Sequence, residues 1–218
     1  MNIPNEWTFK TDAIANGFDQ HVREQLPWYD IATHAVAHIA RHYIPEGGTV
    51  YDIGASTGNI SRAIADTVKS RNASLIAIEE SDAMCQKYVG PGEIVCANAV
   101  QAEIRPFDFA VLFLVVMFIP VADRRDYLQR LWRKTLPGGA MVIVDKTLAA
   151  SGYSGTVMRR LPMAWKAESG ESCDNIIRKE LSLAGHQRPI DERILPGKPV
   201  SFFRMGEFAG WIIERGEV

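Results

Sequence analysis

Residues 50 to 59 read VYDIGASTGN: an apolar run ends in the carboxylate of Asp52, and Gly54 and Gly58 follow with Ala55, Ser56 and Thr57 between them. A glycine-rich turn after such a run lets the backbone approach a nucleotide closely. Three ligands compete for it. A phosphate-cradling P-loop needs Lys then Ser or Thr after its last glycine, and Asn59 stands there instead. A dinucleotide pyrophosphate needs GxGxxG and would be repelled by an anion at the tip of the run. S-adenosylmethionine suits the charge better, because it has no phosphate and carries an ammonium and a sulfonium near its ribose, which Asp52 can face directly or through water. Gly54 then removes the side chain that would block the methionine portion, and Gly58 lets the next helix start close to the strand. Glu79, followed by Glu80, ends a second apolar run about twenty residues past Gly58, where a ribose needs an acceptor for its hydroxyls. Asn98, with Ala99 after it, ends a third run, where an amide could bond the adenine edge.

These residues need strands and helices to hold them. TVYDIGA, SLIAIEE, EIVCANA, DFAVLFLVVMF and AMVIVDK are apolar segments of strand length, bounded by turn or polar residues, and read as buried parallel strands. Between them NISRAIADTVKS, SDAMCQKYV and ADRRDYLQRLWRKTL have helical spacing, the last with Leu128, Leu131, Trp132 and Leu136. Strand and helix alternate from residue 49 to 146, as in a doubly wound α/β sheet whose ligands bind beyond the carboxyl ends of the strands. Ahead of them, Ile31, Ala35, Ile39 and Tyr43 form the stripe of an amphipathic helix that Pro45, Gly47 and Gly48 end. After Thr147, GYSGTVMRRLPMAWKAESGES predicts an irregular insertion with a short helix, DNIIRKELSLAG a further helix, and PVSFFRM and EFAGWIIER two strands joined around Gly206.

The stretch from residue 48 to 146 resembles class I S-adenosylmethionine-dependent methyltransferases: Asp52-x-Gly54-x-x-x-Gly58 is the first motif, IEES (78 to 81) the second, and LPGG (136 to 139) precedes the fifth strand. The resemblance implies a Rossmann-like, seven-stranded, mostly parallel sheet with a reversed last strand, an N-terminal helix and an insertion after strand five. One methyltransferase domain, 1–218, would comprise an N-terminal helical cap (1–46), a cofactor-binding core (49–146), and the insertion with the terminal strands (147–218). A narrower likeness joins GFDQHVREQLPWYDI to IAIEESDAMC and is similar to the branch containing carboxy-S-adenosyl-methionine synthase, an enzyme of tRNA wobble-uridine modification. It implies that Tyr29 contacts the cofactor carboxylate and that Ala55 and Ser56 match that branch's glycine loop. Two departures stand out. The branch's asparagine on the fourth strand falls at Phe113, and its arginine for the extra carboxylate falls near Glu180, where a like charge would repel a carboxylated sulfonium. Ordinary S-adenosylmethionine is therefore the expected donor, with a synthase-like enzyme as the alternative and a non-catalytic cofactor-binding module as a second.

Methyl transfer from a sulfonium is an in-line displacement that needs no protein nucleophile, only alignment and exclusion of water. Trp28, Tyr29 and Phe113 are the aromatic candidates beside the sulfonium. No residue is singled out as a base, so no catalytic residue is named. The fourth strand ends in neither DPPY nor Pro-Cys, which disfavours the amino-group and cytosine-carbon DNA types, and the acceptor expected is a small molecule or a modified nucleoside. His34, His38 and His42 read as a solvated helix edge rather than a metal stripe. Arg159, Arg160, Trp165 and Lys166 could meet an anionic acceptor or lie in a solvated loop, Cys173 is a plain small residue, and Leu128 and Trp132 are core. Insertions after the fifth strand lie at the cleft mouth in this fold, so residues 150 to 185 are expected over the acceptor site.

A chain of 218 residues fits one domain. With 24 basic against 26 acidic side chains, no general field draws it to nucleic acid, although such a partner, like a homodimer, is compatible with the sequence. Cys85, Cys96 and Cys173 are odd in number, widely spaced and without a CxxC pair, which fits a reducing compartment and disfavours structural zinc. The polar start MNIPNEWTFKTD and the shortness of the longest apolar run, 109 to 121, predict a cytoplasmic protein that neither enters the secretory route nor spans a membrane.

Overall fold

The structure, a computed structural model, describes residues 8–9, 12–148 and 151–216; most of the polar start used above lies outside them. Two short helices, α1 (Asp12–Ala15) and α2 (Phe18–Gln25), lead into α3 (Tyr29–Tyr43). The alternating part runs β1 (Thr49–Ile53), α4 (Asn59–Ala63), α5 (Ala65–Ser70), β2 (Ser74–Glu79), α6 (Asp82–Cys85), β3 (Glu93–Cys96), β4 (Phe107–Phe113), a 3-10 turn (Val116–Phe118), α7 (Val121–Lys134) and β5 (Thr135–Lys146). It closes with α8 (Gly152–Glu168), α9 (Cys173–Ser182), β6 (Val200–Met205) and β7 (Phe208–Glu214). The seven strands lie in the order β3-β2-β1-β4-β5-β7-β6. β1 to β5 are mutually parallel, and β7 is inserted antiparallel between β5 and β6. This is the expected α/β sheet with its reversed terminal strand.

Apolar residues run without alternation because helices cover both faces of the sheet. On β4, Phe109, Val111 and Phe113 face α3, α4 and α5, while Ala110 and Leu112 face α7 with Leu128 and Leu131. Phe107 belongs to the α7 side although its parity assigns it to the other. The register against β5 is irregular at this point: Phe107 pairs with Thr135 but Phe109 with Ala140, so β5 carries three residues more than β4 between the two pairs.

Several sequence expectations are corrected. The fourth strand stops at Phe113: Leu114 takes φ +62, and the rest of the apolar run turns back as the 3-10 segment. Asp145 at the end of β5 holds that segment, accepting the Val116 N–H at 2.7 Å and the Met117 N–H at 3.3 Å. The α3 stripe is rotated from the expected one: Ile31 is 64% exposed, and the buried face is Tyr29, Ala32, Thr33, Val36, Ile39 and Ala40. Leu136 lies beyond α7, in β5, and is exposed. The segment expected to be irregular is the 17-residue helix α8, with Pro162 inside it and with Gly155 and Lys166 buried. Gly and Pro disfavour a helix only locally, and packing against α2 and α9 overrides them. Cys85 and Cys96, apart in sequence, join in a disulfide, and Cys173 is free and exposed. Among the described residues no helix is long and apolar enough to cross a membrane.

Leu112 has no exposed surface and sits at the centre of the sheet beneath α7. Leu112→Ala is expected to lower unfolding stability by about 2 to 5 kcal/mol. A urea midpoint unchanged from the wild type would show that the core is not centred there.

Candidate active site

The turn from β1 into α4 is left-handed at three of five positions, Gly54 (φ +73), Ser56 (φ +51) and Gly58 (φ +94). Its N–H groups need acceptors, and β2 supplies them. Gly54 and Ala55 donate to the Ile78 carbonyl at 2.7 and 3.0 Å. Ser56 N–H donates to Glu79 Oε2 at 2.8 Å, and Ser81 N–H to Glu79 Oε1 at 2.8 Å. Burial nevertheless holds the Glu79 carboxyl above its ordinary range. Packing adds a further requirement for both glycines. A Cβ on Gly54 would stand 2.3 Å from Val115 Cγ2, and one on Gly58 2.6 Å from the Val89 carbonyl oxygen. Gly58 thus backs onto the loop before β3, outside the cleft lining.

Asp52 is 1% exposed and its Oδ2 accepts the Ser61 N–H at 2.9 Å and the Ser61 hydroxyl at 2.6 Å. It therefore anchors the first turn of α4, where an anion is favoured, while still forming part of the cleft wall. Burial pushes its carboxyl up to about 6 against those two hydrogen bonds. Asn98 is engaged at both ends: Nδ2 donates to Glu80 Oε2 at 2.9 Å and Oδ1 accepts the Val100 N–H at 2.9 Å.

A cavity of about 600 Å³ opens beyond the carboxyl ends of the strands. It brings together Tyr29, Asp52, Gly54, Ala55, Ser56, Glu79, Glu80, Asn98, Ala99 and Phe113, whereas Gly58 and Trp28, also selected from sequence, do not line it. Tyr29 and Phe113 meet edge to face at 5.2 Å, an apolar pair over the middle of the cleft. Trp28 packs behind them against Phe113, Phe203 and Phe208. The α2 helix is fastened onto the glycine turn: Asp19 accepts the Thr57 hydroxyl at 2.6 Å and pairs with Arg62 at 2.7 Å, and Arg23 donates to Asn59 at 2.9 Å.

The far end of the cavity is built by residues that no motif marked. His21 on α2 meets Lys179 on α9 at 2.6 Å from Nε2 to Nζ. Burial and then Lys179 lower His21 to about 4, so the ring is neutral near pH 7. Burial and then Lys166 lower Lys179 to about 7, with Glu180 and Glu171 opposing. Lys166, read as either a contact for an anionic acceptor or part of a solvated loop, is buried and pairs with Glu180 at 3.3 Å. Glu207, in the turn between β6 and β7, is buried between Lys146 at 3.6 Å and the exposed Arg159 at 3.9 Å. His34, His38 and His42 are exposed along α3, and among the described residues no group of His, Cys, Asp and Glu could hold a metal.

Residues 51–143 match the family described as methyltransferase domain. A carboxy-S-adenosyl-L-methionine synthase of Staphylococcus epidermidis is 29% identical over 192 residues, covering 86% of this chain and 84% of the relative. One from Shewanella pealeana is 27% identical over 187 residues, covering 82% and 77%. Among solved structures, a protein of Methanococcus maripaludis described as an S-adenosyl-L-methionine-dependent methyltransferase matches over 100% of this chain and 99% of its own, with a TM-score of 0.59 at 18% identity. Human N-acetylserotonin methyltransferase, solved with S-adenosylmethionine, matches over 95% of this chain and 57% of its own, with a TM-score of 0.60 at 9% identity. The sheet order and the solved structures show the fold of class I S-adenosylmethionine-dependent methyltransferases, and the part of the chain that carries β1 to β5 matches the methyltransferase-domain family. The curated relatives that the chain resembles over more than four fifths of its length are carboxy-S-adenosyl-L-methionine synthases.

The raised Asp52 carboxyl has a consequence for stability. Its folded value of about 6 lies above the ordinary 3.8, so the folded state holds the proton more tightly than the unfolded one. The stabilisation from that proton is complete below about pH 4 and is lost as pH rises through about 6. Asp52→Asn, which keeps an oxygen for Ser61, should therefore gain about 2 kcal/mol on the wild type between pH 4 and pH 7, an order-of-magnitude figure. Urea unfolding at both pH values reads it, and a difference that does not change with pH would remove the assignment.

Proposed function

We propose that the chain transfers a methyl group from S-adenosylmethionine to a small-molecule or modified-nucleoside acceptor by in-line displacement, in the cytoplasm. The observation that carries this is the charge layout of one cleft. Asp52, Glu79 and Glu80 line the end at β1 and β2, whereas Lys146, Arg159, Lys166 and Lys179 outnumber Glu180 and Glu207 at the end formed by β5, α8, α9 and the β6–β7 turn. The acidic end suits a cationic donor and repels a pyrophosphate.

When bound, the donor supplies a methyl carbon already activated by its positive sulfur. Glu79 keeps its carboxylate in place through Ser56 and Ser81 and presents an acceptor to ribose hydroxyls. The left-handed turn at Gly54 to Ser56 brings bare backbone to the methionine portion. Tyr29 and Phe113 exclude water where the charge disperses in the transition state, and Asp19 and Arg23 fasten α2 beside that region. The α8 and α9 residues then face the acceptor.

A second reading is favoured by the curated relatives, which are named as carboxy-S-adenosyl-L-methionine synthases. Glu180 argues against a carboxylated donor less strongly than its charge alone suggests, because Lys166 offsets it and Lys179 adds a cation to the same wall. The acceptor end could in this way hold an additional carboxylate without an arginine.

Calorimetry with S-adenosylmethionine and S-adenosylhomocysteine is expected to give saturable heat, and Glu79→Ala should weaken both by about 1 to 3 kcal/mol for the loss of a hydrogen-bonding acid. Silence at millimolar ligand would sink the donor assignment, and undiminished affinity would remove Glu79 from it. Mass spectrometry of ligand carried through purification should find the uncarboxylated donor or its homocysteine product; a carboxylated species would decide for the second reading.

A further inference from the structure

The Cys85–Cys96 pair is not used by any of this chemistry, yet it lies at the donor end of the cleft. Cys85 closes α6 and Cys96 closes β3, with Cα atoms 6.2 Å apart, a separation that a disulfide spans without moving the backbone. The residues beside each sulfur face the cavity: Met84, whose sulfur is 3.5 Å from the Ser56 hydroxyl, on one side, and Ala97 and Asn98 on the other. Between the sulfurs, Cys96 pairs in register with Glu79, and the Cys85 sulfur is 3.5 Å from the Glu79 carbonyl oxygen. The bond thus joins the two segments that flank Glu79.

It also closes a loop. Residues 86 to 95 carry Val89, whose N–H donates to the Thr57 carbonyl at 3.0 Å and whose carbonyl accepts from Arg62 at 3.1 Å. That carbonyl is the group against which Gly58 must have no side chain. Opening the cross-link releases the loop that backs the glycine turn, and closing it removes unfolded and locally opened states from competition.

We propose that Cys85 and Cys96 are a redox-controlled clip on the donor site, in which the disulfide tightens binding of the adenosyl ligand and the dithiol loosens it. Cys96 is exposed and Cys85 is buried, which orders the chemistry. The Cys96 thiolate attacks a low-molecular-weight disulfide, forming a mixed disulfide and expelling one thiolate. Cys85 then displaces the second, so that two protein thiols are oxidised, one external disulfide is reduced to two thiols, and the two protons pass to the leaving sulfurs and solvent. In a reducing compartment a disulfide of this kind is a sensing one rather than a permanent staple. By linkage the ligand must in turn favour the disulfide, and each tenfold of affinity difference moves the midpoint of the couple by about 30 mV.

This proposal rests on the cleft being the donor site, and the test separates the two. S-adenosylhomocysteine is titrated calorimetrically into the wild-type chain held in oxidised glutathione and, separately, in dithiothreitol. Reduction is expected to weaken binding about five- to fiftyfold, in the range of typical site-to-site coupling, and reoxidation to restore it. Cys85→Ser should show the weak affinity in both media, and Cys173→Ser should respond as the wild type does. Equal affinities for the oxidised and reduced wild type would overturn the clip while leaving the donor site intact. So would peptide mapping that finds Cys85 and Cys96 unlinked after oxidised glutathione. Heat in neither state would overturn the donor assignment and the clip together.

Discussion

The turn that joins β1 to α4 sets the terms for everything around it. Its left-handed backbone points consecutive N–H groups away from any helix or strand ladder, and buried donors of that kind must be paired. The Ile78 carbonyl and the Glu79 carboxylate take them, so the shape of the glycine turn depends on the end of the neighbouring strand. Glu79 then has two tasks that reinforce each other. Pinned by Ser56 and Ser81, it cannot swing into solvent, and its raised pKa is the cost of holding a carboxylate where a ligand hydroxyl can reach it.

The same coupling extends outward by one shell. Asp52 fixes the first turn of α4 through Ser61, Asp19 and Arg23 draw α2 onto Thr57, Arg62 and Asn59, and Val89 closes over the back of Gly58. None of these contacts is large, but each removes a way for the turn to relax. The result is a pre-formed acidic end to the cleft, which lowers the ordering cost that a flexible site would pay on binding. At the other end the charges come from β5, α8, α9 and the β6–β7 turn, elements distant in sequence from the motifs.

That division explains what the sequence revealed. Strands buried on both faces leave long apolar runs, and the ligand-facing residues of a doubly wound sheet sit at the ends of those runs, so Asp52, Glu79 and Asn98 could be located by counting. The reasons attached to the glycines were less legible, because Val115 and Val89 reach them only in three dimensions. Asn98 looked like a free amide, but its neighbours Glu80 and Val100 engage it. The His21–Lys179 contact joins residues 158 apart, and no local pattern announces it. The helix α8 was hidden by its own Gly and Pro, since the burial of Gly155 and Lys166 that stabilises it is a tertiary effect.

Glu180 shows why a single substitution is a poor guide to the charge of a site. Read alone, an acid where a sister branch carries arginine argues for repulsion of any second carboxylate. In the fold it stands 3.3 Å from a lysine that is almost wholly buried, and a buried ammonium without a partner is costly. Glu180 therefore serves first to let Lys166 exist at the cleft wall. The quantity a ligand meets is the sum over Glu180, Lys166 and Lys179, with a neutral His21 beside them. With Lys146 and Arg159 set against Glu207 on the same wall, the total stays positive and drops by one charge as Lys179 loses its proton above about pH 7, so affinity for an anionic group at this end depends on pH where the lone substitution would predict none.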